Sequence, residues 1–231
     1  MPILEIKNLT KKYYSANVLE DINLSIDSGK IVGLLGPNGC GKTTFFKILS
    51  GLLTKTSGDV RIDGKEIGIE TKAIVSFLPD KPYFAGWMKV HDILAFFSDF
   101  YMDFDMKRAT EMLELLKIGV NDKIKTMSKG TKEKLNLALV MSRNARLYLL
   151  DEPISGVDPA ARDYILRTII SNYSEKSSVI ITTHNIADVE KILDDVIFLN
   201  KGKIELNSPV EELREEREKS IDEIFREIYK C

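Results

Sequence analysis

The stretch KIVGLLGPNGCGKTTFFKIL, Lys30 to Leu49, decides the reading of this chain. KIVGLL (Lys30 to Leu35) is a short, nearly continuous apolar run, the pattern of a strand buried on both faces. FFKIL (Phe45 to Leu49) is helical in pattern. Between them GPNGCGKTT, Gly36 to Thr44, fits G-x-x-x-x-G-K-[ST]. Glycines let such a loop curl so that successive N–H groups point inward at phosphate oxygens. Gly36, Pro37, Asn38, Gly39, Cys40, Gly41 and Thr44 are therefore expected to surround a nucleotide's phosphates. Lys42 is expected to reach the β- and γ-phosphates, and Thr43 to offer its hydroxyl to Mg²⁺.

A second stretch fits the first. RLYLLDEP (Arg146 to Pro153) reads as a buried strand ending in two acids. Asp151 suits Mg²⁺, which takes few protein carboxylates and keeps several waters. Glu152, one step on, points elsewhere and suits a residue that orients or deprotonates an attacking water.

Outward from these, strand and helix patterns alternate. SVIITT (Ser178 to Thr183) reads as another buried strand, with a helix over Ala161 to Asn172 before it. That alternation implies a parallel sheet. INLSID (Ile22 to Asp27) alternates as a half-buried strand does, and Asp63-Gly64 and Asn200-Lys201-Gly202 read as hairpin turns. From about residue 88 the texture is helical: Val90 to Tyr101, Asp105 to Leu116, and a helix capped by Ser128. Ser208-Pro209-Val210-Glu211 reads as a capping box with proline at the first helical position.

Composition excludes several classes. The 231 residues are 44% hydrophobic and 29% charged with net charge −2, which gives no bulk attraction to nucleic acid. No apolar run reaches the roughly 18 residues of a membrane span. MPILEIK at the start lacks a basic region followed by an apolar core, so no signal peptide is expected. The two cysteines, Cys40 and Cys231, form no disulfide framework and fit a cytoplasmic setting. A GTPase would need Asn-Lys-x-Asp, and Asn200-Lys201-Gly202-Lys203 lacks the Asp. No arginine-rich lid of a small nucleotide kinase is visible either.

With these residues in view the chain resembles the ATP-binding subunit of an ABC transporter, over about residues 2 to 210. Residues 36–44 match Walker A and 147–152 match Walker B with its catalytic glutamate. Tyr13 resembles the aromatic that stacks on adenine, Tyr14 being the weaker choice. Ser155-Gly156-Val157-Asp158 resembles the D-loop, and Thr183-His184 the switch histidine that contacts the γ-phosphate. His91 has no such support and reads as a surface residue.

The resemblance implies an α/β fold of the P-loop NTPase class. It has a mostly parallel core sheet, an N-terminal antiparallel β-subdomain and an inserted α-helical subdomain. Residues 1–84 and 143–207 would form the core with the β-subdomain, 85–142 the helical subdomain and 208–231 a C-terminal helix, all one domain. ATP and Mg²⁺ are the implied ligands, with Glu152, His184 and Lys42 catalytic and Thr43, Asp80 and Asp151 at the metal. The implied partners are a transmembrane permease and a second ABC ATPase subunit, with no nucleic acid. The implied place is the cytoplasmic face of the cell membrane, reached through the permease. The alternatives are a non-transport ABC ATPase and a low-activity partner cassette of a heterodimer.

Two departures from the family pattern matter. LPDKPY (Leu78 to Tyr83) puts Asp80 where the Q-loop has glutamine, which implies an altered metal dependence, with Lys81 as an offsetting cation. Met127-Ser128-Lys129-Gly130-Thr131 stands where the signature reads Leu-Ser-Gly-Gly-Gln. Ser128, Lys129 and Gly130 open a helix with cations where its dipole prefers an anion. The resemblance implies that the anion is ATP held by another subunit. Both departures look more like the ABC-2 type exporter branch than like importers. Beside the helix N-terminus, the Cys40 thiol is expected to have a lowered pKa; its alkylation is expected to block ATP binding, and bound ATP to protect it.

Overall fold

The computed structural model describes residues 1–14, 16–80, 83–154, 159–172 and 176–229. Two long strands, β1 (Pro2–Tyr13) and β2 (Ala16–Asp27), pair antiparallel; β1 also pairs with β4 (Ser57–Ile62), which turns into the short β5 (Lys65–Glu66). The result is a four-stranded antiparallel sheet in the order β2-β1-β4-β5. The expected Asp63-Gly64 hairpin is present, with positive φ at both residues (51° and 75°) as a type I′ turn requires.

The second sheet carries the chemistry. It combines β3 (Ile31–Leu35), β6 (Val75–Leu78), β7 (Leu147–Asp151), β8 (Ser178–Thr182), β9 (Asp195–Asn200) and β10 (Lys203–Pro209). The order is β10-β9-β3-β8-β7-β6, parallel throughout except for β10, which returns antiparallel through Lys201-Gly202. Parallel sheets bury both faces, and β3, β7 and β8 are buried along their whole length. Alternate residues serve different cores. Val32, Leu34, Leu147, Leu149 and Ile180 face the antiparallel sheet across α1 (Lys42–Leu49); Leu35, Tyr148, Leu150, Val179 and Ile181 face the other helices.

Those helices are α3 (Val90–Phe100), α4 (Met106–Leu115), α5 (Lys129–Met141) and α6 (Pro159–Asn172). A short α2 (Ile69–Ile74) precedes β6, and α7 (Ile186–Val189) follows β8. Ser128 caps α5 as expected, its Oγ accepting from Thr131 N, and Asp105 caps α4 through Arg108 N. Each fully buried Leu or Phe of these cores contributes about 1.5–3 kcal/mol.

Two local expectations change. No capping box forms at 208–211: Pro209 ends β10 opposite Asp195, Ser208 Oγ donates to the Pro209 carbonyl, and α8 (Val210–Arg217) begins one residue later. Proline's fixed φ suits an extended ψ here, 140°, and the Val210 N–H goes to the Asp194 carbonyl instead. The C-terminal segment is two helices, because Glu218 takes a left-handed conformation (φ 52°) between α8 and α9 (Ile221–Tyr229). No helix among the described residues is long and apolar enough to cross a membrane.

Candidate nucleotide site

The loop after β3 is shaped by close approach. A Cβ on Gly36 would lie 2.1 Å from the Leu199 carbonyl oxygen, so only glycine fits. Gly41 has φ +114°, and a Cβ there would meet the Val18 carbonyl oxygen at 2.8 Å. The chain therefore doubles back and hands Lys42 to the first turn of α1. The Lys42 ammonium is folded into the loop, donating to the carbonyls of Gly36 (2.6 Å) and Pro37 (3.2 Å). Among the described residues it has no ion pair. A largely buried cation inside a curled loop is a strong attractor for phosphate.

Parallel register brings the acids to the same end of the sheet. Asp151 closes β7 and sits opposite Thr182 of β8. Its Oδ2 accepts from Thr43 Oγ1 (2.9 Å) and its Oδ1 from Thr182 Oγ1 (2.6 Å). Thr182 Oγ1 also accepts from the Glu152 N–H (3.1 Å), so one hydroxyl sets both acids. Glu152 has φ 55°, unusual for a non-glycine residue.

Glu152 is nearly buried, with 13% of its side chain exposed. The His184 N–H donates to its Oε2 (3.2 Å). The imidazole Nε2 lies 3.1 Å from Oε1, a close contact without hydrogen-bond geometry. Burial pushes the Glu152 carboxyl above the usual range; His184 and Lys42 pull it back, and Asp151 adds to the rise. A carboxyl raised above its ordinary value is a better proton acceptor, as a general base requires.

These groups line one cavity of about 310 Å³, with Asn38, Gly39, Gly41, Thr44 and Asp80 on its walls. The donor set fits Mg²⁺. Thr43 and Asp151 offer adjacent hard oxygens, and no cluster of three metal-binding side chains exists among the described residues.

Other expected residues lie elsewhere. Tyr13 ends β1, two-fifths exposed, with Lys11 Nζ 4.9 Å from its ring centre; it does not line the cavity, whereas Val18 does. Ser128, Lys129 and Gly130 do not line it either. The Lys129 ammonium instead reaches Glu133 (3.7 Å), one turn on. Asp158, with the rest of 155–158, lies outside the described residues, as do Lys81 and Cys231. His91 is half exposed beside Asp92, a surface residue as expected.

Cys40 reverses its expectation. Its side chain is 4% exposed beneath the loop, and burial pushes the thiol up although Lys42 pulls the other way. The helix N-terminus does not decide this thiol because its sulfur is turned into the apolar core beside Gly36.

Sequence reasoning also missed Thr182. Its signal was a hydroxyl ending an apolar strand, placed to lie beside the strand that ends in Asp151. Val18 had no such signal.

The model of the ABC transporter family matches residues 19–155, which hold the phosphate loop, the signature segment and both acids. The chain belongs to the ABC transporter ATP-binding family. This ABC ATPase is 34% identical to the uncharacterized ABC transporter ATP-binding protein YdbJ of Bacillus subtilis, over 96% of its own length and 74% of that protein's. It is 32% identical to the lantibiotic transport ATP-binding protein SrtF of Streptococcus pyogenes, over 87% and 89% of the two chains. Its fold matches a solved ATP-binding subunit of an ABC transporter with a TM-score of 0.90, 26% identity and 98% and 99% coverage. The α/β P-loop architecture with its antiparallel β-subdomain is thus the ABC cassette, and the chain is an ATP-binding ATPase subunit of that family.

Proposed function

We propose that this ABC ATPase hydrolyses ATP at the cavity beside Gly36–Thr44 and drives export through a separate membrane permease. The observation that carries the site is convergence. Lys42 from α1, Asp151 and Glu152 from the end of β7 and His184 from the end of β8 meet in one cavity. In this reading the loop amides and Lys42 hold the β- and γ-phosphates. Glu152 accepts a proton from water as that water attacks the γ-phosphorus. The bond from γ-phosphorus to the bridging oxygen breaks, and ADP and phosphate leave. His184 fixes the Glu152 carboxylate and reaches the γ-phosphate. Thr43 and Asp151, with Asp80 beside them, would hold Mg²⁺, which supplies charge neutralisation on the phosphates. Tyr13 serves adenine only if its ring turns from Lys11.

Ser128, Lys129 and Gly130 lie outside this cavity, so they fit ATP held by a second subunit. Two-fold symmetry then closes two composite sites. The ATP-binding cassette MJ0796, solved as a dimer in a post-hydrolysis state bound to ADP and phosphate, shares this fold.

The permease contact falls on the surface shared by the segment 85–142, read as the helical subdomain, and the Q-loop region before it. A second cavity, of about 580 Å³, is lined by Phe77, Tyr83, Phe96 and Tyr101, with Lys47 and Lys72 among its cations and no carboxylate. An amphipathic permease helix carrying an acidic residue fits that lining. Trp87 is also exposed, whereas Phe84 and Met88 pack against the core. The export direction rests on relatives named for lantibiotic transport and linearmycin resistance. The permease would hold this chain at the cytoplasmic membrane face.

Phosphate release measured against protein concentration tests the two-subunit site. Specific activity should rise with concentration and plateau; a constant value down to nanomolar chain would overturn it.

A further inference from the structure

Helix α5 is anchored very differently at its two ends. At the Ser128 end the first-turn hydrogen bonds among the described residues are local, from Thr131 N to Ser128 Oγ and from Lys132 N to the Ser128 carbonyl, and Lys129 forms an ion pair with Glu133 one turn on. At the other end the helix runs into Arg143, which is 3% exposed. Its Nε and Nη2 donate to the two oxygens of Asp103 (3.0 and 3.1 Å). Nη1 donates to the Val75 carbonyl and Nη2 to the Ala73 carbonyl, both at 2.6 Å. The guanidinium also lies 4.0 Å from the centre of the Tyr101 ring. Ser76 Oγ adds a bond to the Val140 carbonyl (3.0 Å).

The partners of Arg143 place this clamp mechanically. Ala73 and Val75 lead into β6, which runs in register beside β7 (Val75 opposite Leu147, Leu78 opposite Leu150). Asp151 ends β7 and Asp80 follows β6, and both line the nucleotide cavity. One guanidinium therefore ties the base of α5 to the strand pair that delivers the cavity's acids. Tyr101 and Asp103, between α3 and α4, complete the grip. The planar fork is specific to arginine; a lysine ammonium cannot hold a bidentate carboxylate and two carbonyls while stacking on a ring.

We propose that Arg143 is the positioning residue that aims the Ser128–Gly130 tip of α5. This rests on the reading that the tip caps ATP on a second subunit. Thirteen helical residues span about 20 Å, so a tilt of about 5° at the clamped base moves the tip by about 1.7 Å. A displacement of about 1 Å at a reacting centre already costs on the order of a hundredfold in rate. Loosening the base acts on the tip while leaving the phosphate loop untouched.

The test is a double-mutant cycle on the full chain, with Arg143→Lys, Ser128→Ala and the pair. Readouts are kcat and KM for MgATP and binding of a fluorescent ATP analogue. Arg143→Lys should lower kcat about tenfold or more, with KM and analogue binding within about twofold of wild type. In the Ser128→Ala background it should cost less than about twofold further, because the tip it aims is already disarmed. A merely structural role would lower the active fraction and multiply with Ser128→Ala. Full additivity, or an unchanged kcat, overturns the proposal. Should Arg143→Lys not fold, Asp103→Asn is read by the same criteria. If Ser128→Ala alone leaves hydrolysis unchanged, the two-subunit reading fails and the role of Arg143 fails with it. A loss with Ser128→Ala but not with Arg143→Lys overturns only the latter.

Discussion

Glu152→Gln isolates the proton acceptor from the architecture around it. The amide keeps the shape of the side chain, and its oxygen can still accept from the His184 N–H, now at 3.2 Å. What disappears is the ability to take a proton from water. Positioned general bases contribute roughly 10²–10⁴-fold, equivalent to about 2.7–5.4 kcal/mol of barrier. The variant also removes a negative charge from a cavity that must accept the phosphates, so ATP binding should hold or strengthen. Size-exclusion chromatography with MgATP should then show an ATP-bound dimer.

The assay is phosphate release at saturating MgATP across pH. Wild-type activity should fall as pH drops through the Glu152 pKa, since the protonated carboxyl cannot accept. Burial raises that pKa, so the acid limb should lie above the ordinary carboxylate range. His184 is the largest influence pulling it down, so His184→Ala should move the limb to still higher pH. Glu152→Gln should be slow at every pH and show no such limb. A Glu152→Gln rate within about tenfold of wild type, or a monomer at saturating ATP, would refute the assignment of Glu152 as base.

The remaining predictions are narrower. Asp80→Gln should change the relative response of hydrolysis to Mg²⁺ and Mn²⁺; superimposable metal profiles would remove Asp80 from the metal. Cys40, buried with a raised thiol pKa, should alkylate at pH 7 at least about tenfold more slowly in the native chain than in urea, with or without ATP. Peptide-resolved mass spectrometry separates it from Cys231, and equal rates would contradict the burial. Hydrolysis that rises with chain concentration, and the Arg143–Ser128 cycle, complete the set.

The sequence by itself determined the site's chemistry. GPNGCGKTT carries its function in residue order, because a phosphate loop is a local structure whose glycines, lysine and threonine act within nine consecutive positions. The run ending in Asp151-Glu152 was legible for the same reason, as was the Ser128 cap of α5. Apolar runs of five residues announced β3, β7 and β8, because strands buried on both faces leave no room for polar alternation. The four-residue β6 and the four-residue α7 carry too little periodicity to be read.

Only the tertiary structure decided what depends on register and burial. Thr182 became the hydroxyl that sets both acids because β8 lies beside β7, a neighbour relation that no local pattern encodes. The Cys40 thiol rises because its sulfur faces the core, and neighbouring residues in sequence predicted the opposite. Arg143 gave no signal at all. Its partners lie 40 to 70 residues away, and a buried arginine becomes tolerable only where folding assembles a carboxylate, two carbonyls and an aromatic face around it. Local structure encodes which atoms the proposed site offers to phosphate. Packing across the sheet decides which of them are held still.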